Sequence, residues 1–297
     1  MILRYIHYFL AVAEHGSFTR AAAALYVSQP ALSQQIKLLE QTLEVQLFDR
    51  SGRNVRLTDA GLVFQQHARQ AMKALETGAR AVHDVQDLSR GHLRLGVTPT
   101  YTPWLTGPLL SSFWLRYPGI TLTISEAPQG QIERRLVADE LDAGIGFSAD
   151  HAAELVATPL MQESLAMVIS NEHPLAHRQH VSLEMLATQP LVLLDTGFAT
   201  RIEIDRECHE KGVTPNIVME TDTLGAIMEV ILRAPLATIL PNTVAHSRHD
   251  LHALTISPPL AERTGVLLMR KGSRHVAARA LVDVLEKVLQ ELTHKKN

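Results

Sequence analysis

Apolar residues recur with helical spacing from Ile6 to Leu88 of this 297-residue chain, and beyond that point short apolar runs alternate with helical stretches. Ile6, Phe9, Leu10 and Ala13 predict a first helix over residues 3–15 with one buried face. Ser17 and Ser28 each precede a further helical pattern and can accept a hydrogen bond from its free N–H groups. Pro30 falls in the first turn of the later one, where a missing N–H costs little. Leu32, Ile36, Leu39 and Leu43 then fall at i, i+4, i+7 and i+11, which makes one buried stripe. The opposite face carries Gln29, Ser33 and Lys37, with Pro30 and Gln34 beside them and no carboxylate before Glu40. Such a face suits a helix laid in the DNA major groove, where Gln reads adenine and Lys reaches guanine or phosphate.

Arg50, Arg53 and Arg56 follow, around the turn signal Ser51-Gly52 and Asn54, which predicts a basic hairpin. Arginines beside a reading helix are placed for phosphate or minor-groove contact. Thr58 is then positioned to cap a long helix, with Asp59 in its first turn, running to about Leu88. Ala68, Met72, Leu75, Ala79 and Val82 step 4-3-4-3, the spacing of a helix–helix seam, and predict pairing with a second copy.

From His92 the pattern changes to that of a mostly parallel α/β sheet. Strands are predicted over 92–97, 120–125 and 142–147, and a helix leads from Thr98-Pro99-Thr100-Tyr101-Thr102 through Leu105, Leu109, Phe113 and Leu115. Another helix is read over 131–140, and 155–170 as two extended pieces around Gln162-Glu163. A second α/β set follows: helices over 182–187, 201–211 and 224–232, and strands over 191–194, 217–220 and 237–240. The strand 264–269 and the last helix, from Val276, are predicted to return to the first set. Two crossings between similar lobes make a hinged cleft. The expected organisation is 1–58, a DNA-binding domain; 59–90, a linker helix; and 91–297, a ligand domain. Its lobes are 91–162 with 267–297, and 163–266.

Charged residues make up 20% and hydrophobic ones 46%, as in soluble globular protein. Net charge is −3, yet residues 1–58 hold six Arg/Lys against four acids, leaving the acidic balance to the remainder. A basic reader on an acidic body fits DNA binding. A single cysteine, Cys208, rules out an intramolecular disulfide. No apolar run approaches the roughly 18 residues of a membrane span and no signal-peptide pattern opens the chain, so a cytoplasmic protein is expected.

The N-terminal pattern resembles the winged helix–turn–helix of the LysR-type transcriptional regulators. Phe9–Glu14, Gly16–Ala22, Leu25, Val27–Ser33, Ile36, Leu39-Glu40, Leu47-Phe48, Arg50 and Leu57–Gly61 carry the resemblance. Glu44 departs from it, standing where the family has Gly in a left-handed helix cap, at a cost of about 1 kcal/mol. The resemblance adds Thr19, Arg20 and Ser28 to the DNA-facing Gln29, Pro30, Ser33, Gln34, Lys37, Arg50 and Arg53. It also implies a two-lobed effector domain like the periplasmic binding proteins, promoter DNA and RNA polymerase as partners, and a homodimer or homotetramer. The narrower likeness, to regulators of cyanate degradation, implies cyanate as effector, activation of cyanate-degrading genes and repression of the chain's own gene.

In an α/β cleft the ligand is expected at the sheet ends. Thr98 and Thr100 follow a strand and open a helix, where free N–H groups and hydroxyls can hold an anion. Phe198, Thr200 and Arg201 form the corresponding turn of the second lobe, with Arg201 as counter-charge. Gly146 and Phe147 are expected to line a wall. Thr223 is a further candidate, although Asp222 beside it suits a helix cap. His246, His249 and His252 are spaced by three but lie in a polar stretch, and His173 and His177 flank Pro174. Neither group makes a metal site the better reading, and no cofactor is expected. Cys208 reads as a semi-buried, inert thiol rather than a nucleophile or sensor. G-x-S-x-G, Walker A, G-x-G-x-x-G and H-E-x-x-H are absent, so an enzyme is not expected. A regulator of another operon with a different effector, a small-anion enzyme and a solute-binding protein remain as alternatives.

Overall fold

The computed structural model describes residues 2–49, 55–84 and 88–294, in two compact units, Met1–His83 and Asp84–Asn297. In the first unit α1 is Ile2–His15, α2 Phe18–Ala24 and α3 Gln29–Leu43. A short antiparallel pair, β1 (Phe48–Asp49) and β2 (Arg56–Leu57), leads into α4, Asp59–Asp84. The side chains of Ser17 and Ser28 accept from the backbone N–H of Arg20 and Ala31, capping α2 and α3 as the patterning predicts. Leu32, Ile36 and Leu39 are buried with Phe9, Val12, Phe18 and Phe48, and the rings of Phe9 and Phe48 lie 5.2 Å apart. Glu44 takes the left-handed conformation, φ 54°, and ends α3 as a Gly would. The Thr58 hydroxyl donates to Gln46 O at 2.7 Å and accepts from Gly61 N at 3.0 Å, so one residue caps α4 and ties it to the preceding loop. Gly61 makes this possible, since a Cβ there would meet Leu47 O at 2.1 Å.

The second unit opens with β3, Gly91–Val97. The helix expected from Thr98 is broken into a 3-10 turn (Pro99–Tyr101), a π turn (Thr102–Thr106) and only then α5 (Gly107–Arg116). Pro103 and Pro108 remove two N–H donors from that stretch, which prevents a regular α ladder. Then come β4 (Ile120–Glu126), α6 (Gln129–Val137), β5 (Ala143–Phe147), β6 (Leu155–Glu163), β7 (Leu165–Ser170), β8 (His180–Ser182) and β9 (Leu191–Leu194). α7 (Ala199–Glu210), β10 (Ile217–Thr221), α8 (Leu224–Ile231), β11 (Thr238–Pro241), α9 (Asn242–His246), β12 (Leu251–Ser257), β13 (Arg263–Arg270) and α10 (Val276–His294) complete it.

The strands make two sheets. One has the order β4-β3-β5-β13-β6, with β3, β4 and β5 parallel and β13 antiparallel to both neighbours. The other has β11-β7-β12-β8, and a bridge between Leu191 and Ala237 joins it to the parallel pair β10-β9. The chain passes between sheets twice, from β6 to β7 and from β12 to β13, and β13 already pairs with β6 from Arg263 onward. This is the two-lobed α/β architecture expected from the sequence. The polar stretch around His246, His249 and His252 is not one loop: His246 ends α9, and His252 lies in β12 with Nε2 2.9 Å from Arg178 O. Among the described residues no helix is long and apolar enough to cross a membrane, and no group of three or more His, Cys, Asp or Glu is placed to hold a metal ion.

Candidate functional site

In the N-terminal unit α3 carries an exposed polar face. Burial of Leu32, Ile36 and Leu39 fixes the rotation of α3, which leaves Gln29, Pro30, Gln34 and Lys37 exposed and Ser33 half-buried on the other side. Thr19, Arg20 and Ser28 are exposed as well, and the Ser28 hydroxyl is engaged as the α3 cap. Glu40, the first acid of α3, accepts from the N–H groups of Leu47 (2.9 Å) and Phe48 (3.2 Å). Its charge is thus held at the start of β1, and the exposed face stays free of carboxylates up to that point. Arg56 is exposed on β2, whereas Arg50 and Arg53 lie outside the described residues. Tyr26, which sequence reasoning passed over, stands 96% exposed in the turn between α2 and α3 with φ 54°. An aromatic residue in so short a turn was the only signal it offered. On α4, Ala68 is buried, Met72 half-buried and Leu75 exposed, while the side chains of Ala79 and Val82 lie outside the described residues.

In the second unit the C-terminal ends of β3 and β5 lie side by side, with Thr98 N donating to Ile145 O. Thr98 and Thr100 are buried there, and neither hydroxyl has a hydrogen-bond partner among the described residues. Tyr101 is fully buried and donates to Gly146 O at 3.2 Å. Burial, with the nearby Glu163 charge, holds its phenol well above the ordinary value. Phe147 is gripped on both sides of its peptide by one side chain: its N–H donates to Gln129 Oε1 and Gln129 Nε2 donates to its C=O, both at 2.8 Å. The Phe147 ring stacks on Tyr101, 5.1 Å between centroids, and the Arg263 guanidinium sits 3.6 Å over the Phe147 centroid.

Arg263, from the start of β13, brings the second lobe's Thr200 into this group: its Nη1 donates to Thr200 Oγ1 at 2.9 Å. Its Nη2 faces Glu163 at 3.5 Å, and its Nε has no partner among the described residues. Burial pushes its pKa below the usual arginine value, against the attraction of Glu163, Tyr101 and Glu203. Thr200 and Phe198 are both buried at the start of α7. Arg201 is turned elsewhere, donating to Asp205 (2.8 Å), Glu220 (2.5 Å) and Leu194 O (3.1 Å), so its charge is already spent. Thr223 is exposed, and its hydroxyl donates to Asp222 rather than into the cluster. α8 begins with no side-chain cap. The structure thus brings Phe147 and Thr200 together with Arg263, Glu163, Tyr101 and Gln129, leaves Thr98 and Thr100 buried in the turn that leads to Tyr101, and directs Arg201 and Thr223 away. Arg263 and Glu163 gave no local signal, since they meet only through the pairing of β6 with β13.

Two family descriptions match the chain: the bacterial regulatory helix-turn-helix protein, lysR family, over residues 3–62, and the LysR substrate binding domain over 86–290. Among curated proteins, a "probable hydrogen peroxide-inducible genes activator" of Mycobacterium avium is 30% identical over 286 residues, 95% of this chain and 92% of that protein. The "DNA-binding transcriptional dual regulator OxyR" of Escherichia coli strain K12 is 28% identical over 276 residues, 92% of this chain and 90% of that protein. Among solved structures, full-length CbnR complexed with its target DNA matches with a TM-score of 0.70 at 22% identity, covering 97% of this chain and 100% of that one. This chain belongs to the LysR family of DNA-binding transcriptional regulators.

Proposed function

We propose that the protein is a cytoplasmic regulator that binds double-stranded promoter DNA through the exposed face of α3 and answers to a small monovalent anion held at Arg263. Gln29, Ser33, Gln34 and Lys37 read base edges, while Thr19, Arg20, Ser28, Pro30, Arg50 and Arg53 set the register on the backbone. Two copies pair through α4, whose Leu62, Val63 and Leu75 are exposed, and two pairs make a tetramer that touches RNA polymerase at the promoter.

The observation that carries the effector reading is Arg263: a buried cation with one neutral and one distant partner and an unspent Nε–H. Unpartnered buried donors and a thinly compensated charge favour an anion. Thr98, Thr100 and Thr200 add hydroxyl donors, and the stacked Tyr101 and Phe147 leave the surroundings apolar. Cyanate, a linear triatomic monovalent anion, fits that donor set and the narrower sequence resemblance. In this reading it switches on cyanate-degrading genes, and the unliganded protein represses its own. Peroxide sensing, suggested by the names of the relatives, finds no support in the thiol chemistry. Cys208 is the single cysteine of the chain, and burial pushes its thiol up to about 11.

Footprinting on the DNA beside the gene, with and without cyanate, tests the whole reading. A footprint that cyanate shortens or shifts is expected; one unaltered by cyanate and altered by peroxide would sink it. Sedimentation of Leu75→Glu tests the pairing, and a mutant that still runs as the wild-type oligomer at micromolar concentration would refute it.

A further inference from the structure

Arg263 already has an anion of its own. Glu163 closes β6, Arg263 opens β13, and the two are register partners at the place where both strands leave the first sheet. The Glu163 side chain is fully buried and that of Arg263 is 8% exposed. Their closest approach is 3.5 Å, long for a charge-assisted bond, for which about 2.7–2.9 Å is usual. A guanidinium has five N–H donors, and this one spends two, on Glu163 and on Thr200. Glu163 has a second tie: its Oε1 accepts from Thr243 Oγ1 of α9 at 3.4 Å.

We propose that Glu163 is a resident counter-ion of Arg263, and that an effector anion binds by taking its place. The proposal rests on the reading of this cleft as an anion site. A buried arginine needs a negative partner, and without effector Glu163 fills that role at long range. A mobile anion that reaches Nε and Nη1 at ordinary hydrogen-bond length satisfies the cation better. Two negative charges beside one buried cation are unfavourable, so Glu163 gives way toward Thr243 as the anion enters. The carboxylate therefore sets the concentration at which the regulator responds: it weakens binding of every anion and keeps the cleft in its unliganded form at low concentration. The exchange also releases a contact between the two strands that cross from lobe to lobe, which links occupancy of the site to the hinge.

The test is calorimetric titration of the full-length protein with sodium cyanate, then with bicarbonate, at an ionic strength fixed with chloride. Glu163→Gln keeps the shape of the side chain and removes the competing charge, and should bind cyanate roughly tenfold or more tightly than wild type. Glu163→Asp keeps the charge but draws it back from Arg263, and should bind more tightly than wild type by a smaller factor. If Glu163→Gln does not fold, as judged by circular dichroism, the Asp variant decides the question alone. Finite affinity that is equal to or weaker than wild type in these variants overturns the counter-ion role and leaves the anion site standing. Absence of binding by wild type and both variants, with either anion, overturns the anion site and the counter-ion role together.

Discussion

Gly265 and Tyr101 hold each other in place: a Cβ on Gly265 would lie 2.5 Å from the Tyr101 hydroxyl. Tyr101 in turn stacks under Phe147 and bonds to Gly146 O. Gly265→Ala is therefore expected to push the tyrosine from its seat, destabilising the second unit by about 1–3 kcal/mol, as overpacking of a filled core does. Chemical denaturation measures this, and a parallel loss of anion affinity is expected because Phe147 rests on the Tyr101 ring and Arg263 rests on the Phe147 ring.

Contact with DNA separates into two kinds. Gln34→Ala should remove about 1–3 kcal/mol of discrimination at one base pair while leaving non-specific binding intact. Arg20→Ala, at a residue that sets the register on the backbone, should instead weaken all sequences alike and lower the slope of log K against log salt by about 0.9. Competition gel shifts over a salt series distinguish them. Unchanged operator preference in the Gln34 variant would mean that this face of α3 does not read the groove.

How far such sites could be read from sequence depended on distance along the chain. The α3 face was legible because Leu32, Ile36, Leu39 and their polar opposites lie within a few helical turns. Glu44 shows the limit of such local rules, since it takes the left-handed cap that its residue type disfavours, with Glu44 N donating to Gln41 O and Val45 N to Glu40 O. Thr98 and Thr100 were legible for the same local reason as α3, as polar residues at a strand end. Arg201 looked like the counter-charge because it follows Thr200, yet the next position on a helix points about 100° away, here toward Asp205 and Glu220. The cation that reaches Thr200 is 63 residues distant, and its carboxylate partner lies 100 residues from it. Only the pairing of β13 with β6 makes them neighbours.

Asp142 supplies a pH prediction. Burial raises its pKa, but the side-chain bond from Arg94, with the charge of His275, outweighs this and holds it below the ordinary value. Its carboxylate takes Arg94 Nη2 at 2.6 Å and Arg94 N at 2.8 Å. A group with a depressed folded pKa contributes stability above its unfolded value that is lost as pH falls through the folded one. Below about pH 4 the wild type should therefore lose stability more steeply than Asp142→Asn. At neutral pH that variant should be less stable by about 3 kcal/mol, the low end for a broken buried pair, because Arg94 is partly exposed. Denaturant melts across pH 3–7 check both outcomes.

Cys208 gives the sharpest contrast with the peroxide regulators. A thiol at about 11 is ionised to roughly one part in ten thousand at neutral pH. Peroxide and maleimide reagents should leave the folded chain unmodified, and Cys208→Ala should regulate as the wild type does. Mass spectrometry after peroxide exposure, paired with footprinting, decides it.

The double use of the Thr58 hydroxyl has a mechanical meaning. By capping α4 while gripping Gln46 O, it leaves no slack joint between the DNA reader and the helix that follows. α4 spans 26 residues, about 39 Å at the usual rise per residue. A rigid rod of that length behaves as a lever arm. Tilting its far end by about 5° sweeps the near end through about 3 Å, comparable with the axial step of one base pair. On the proposed reading of α3, a small rotation of the rod is expected to change which bases the reader can reach.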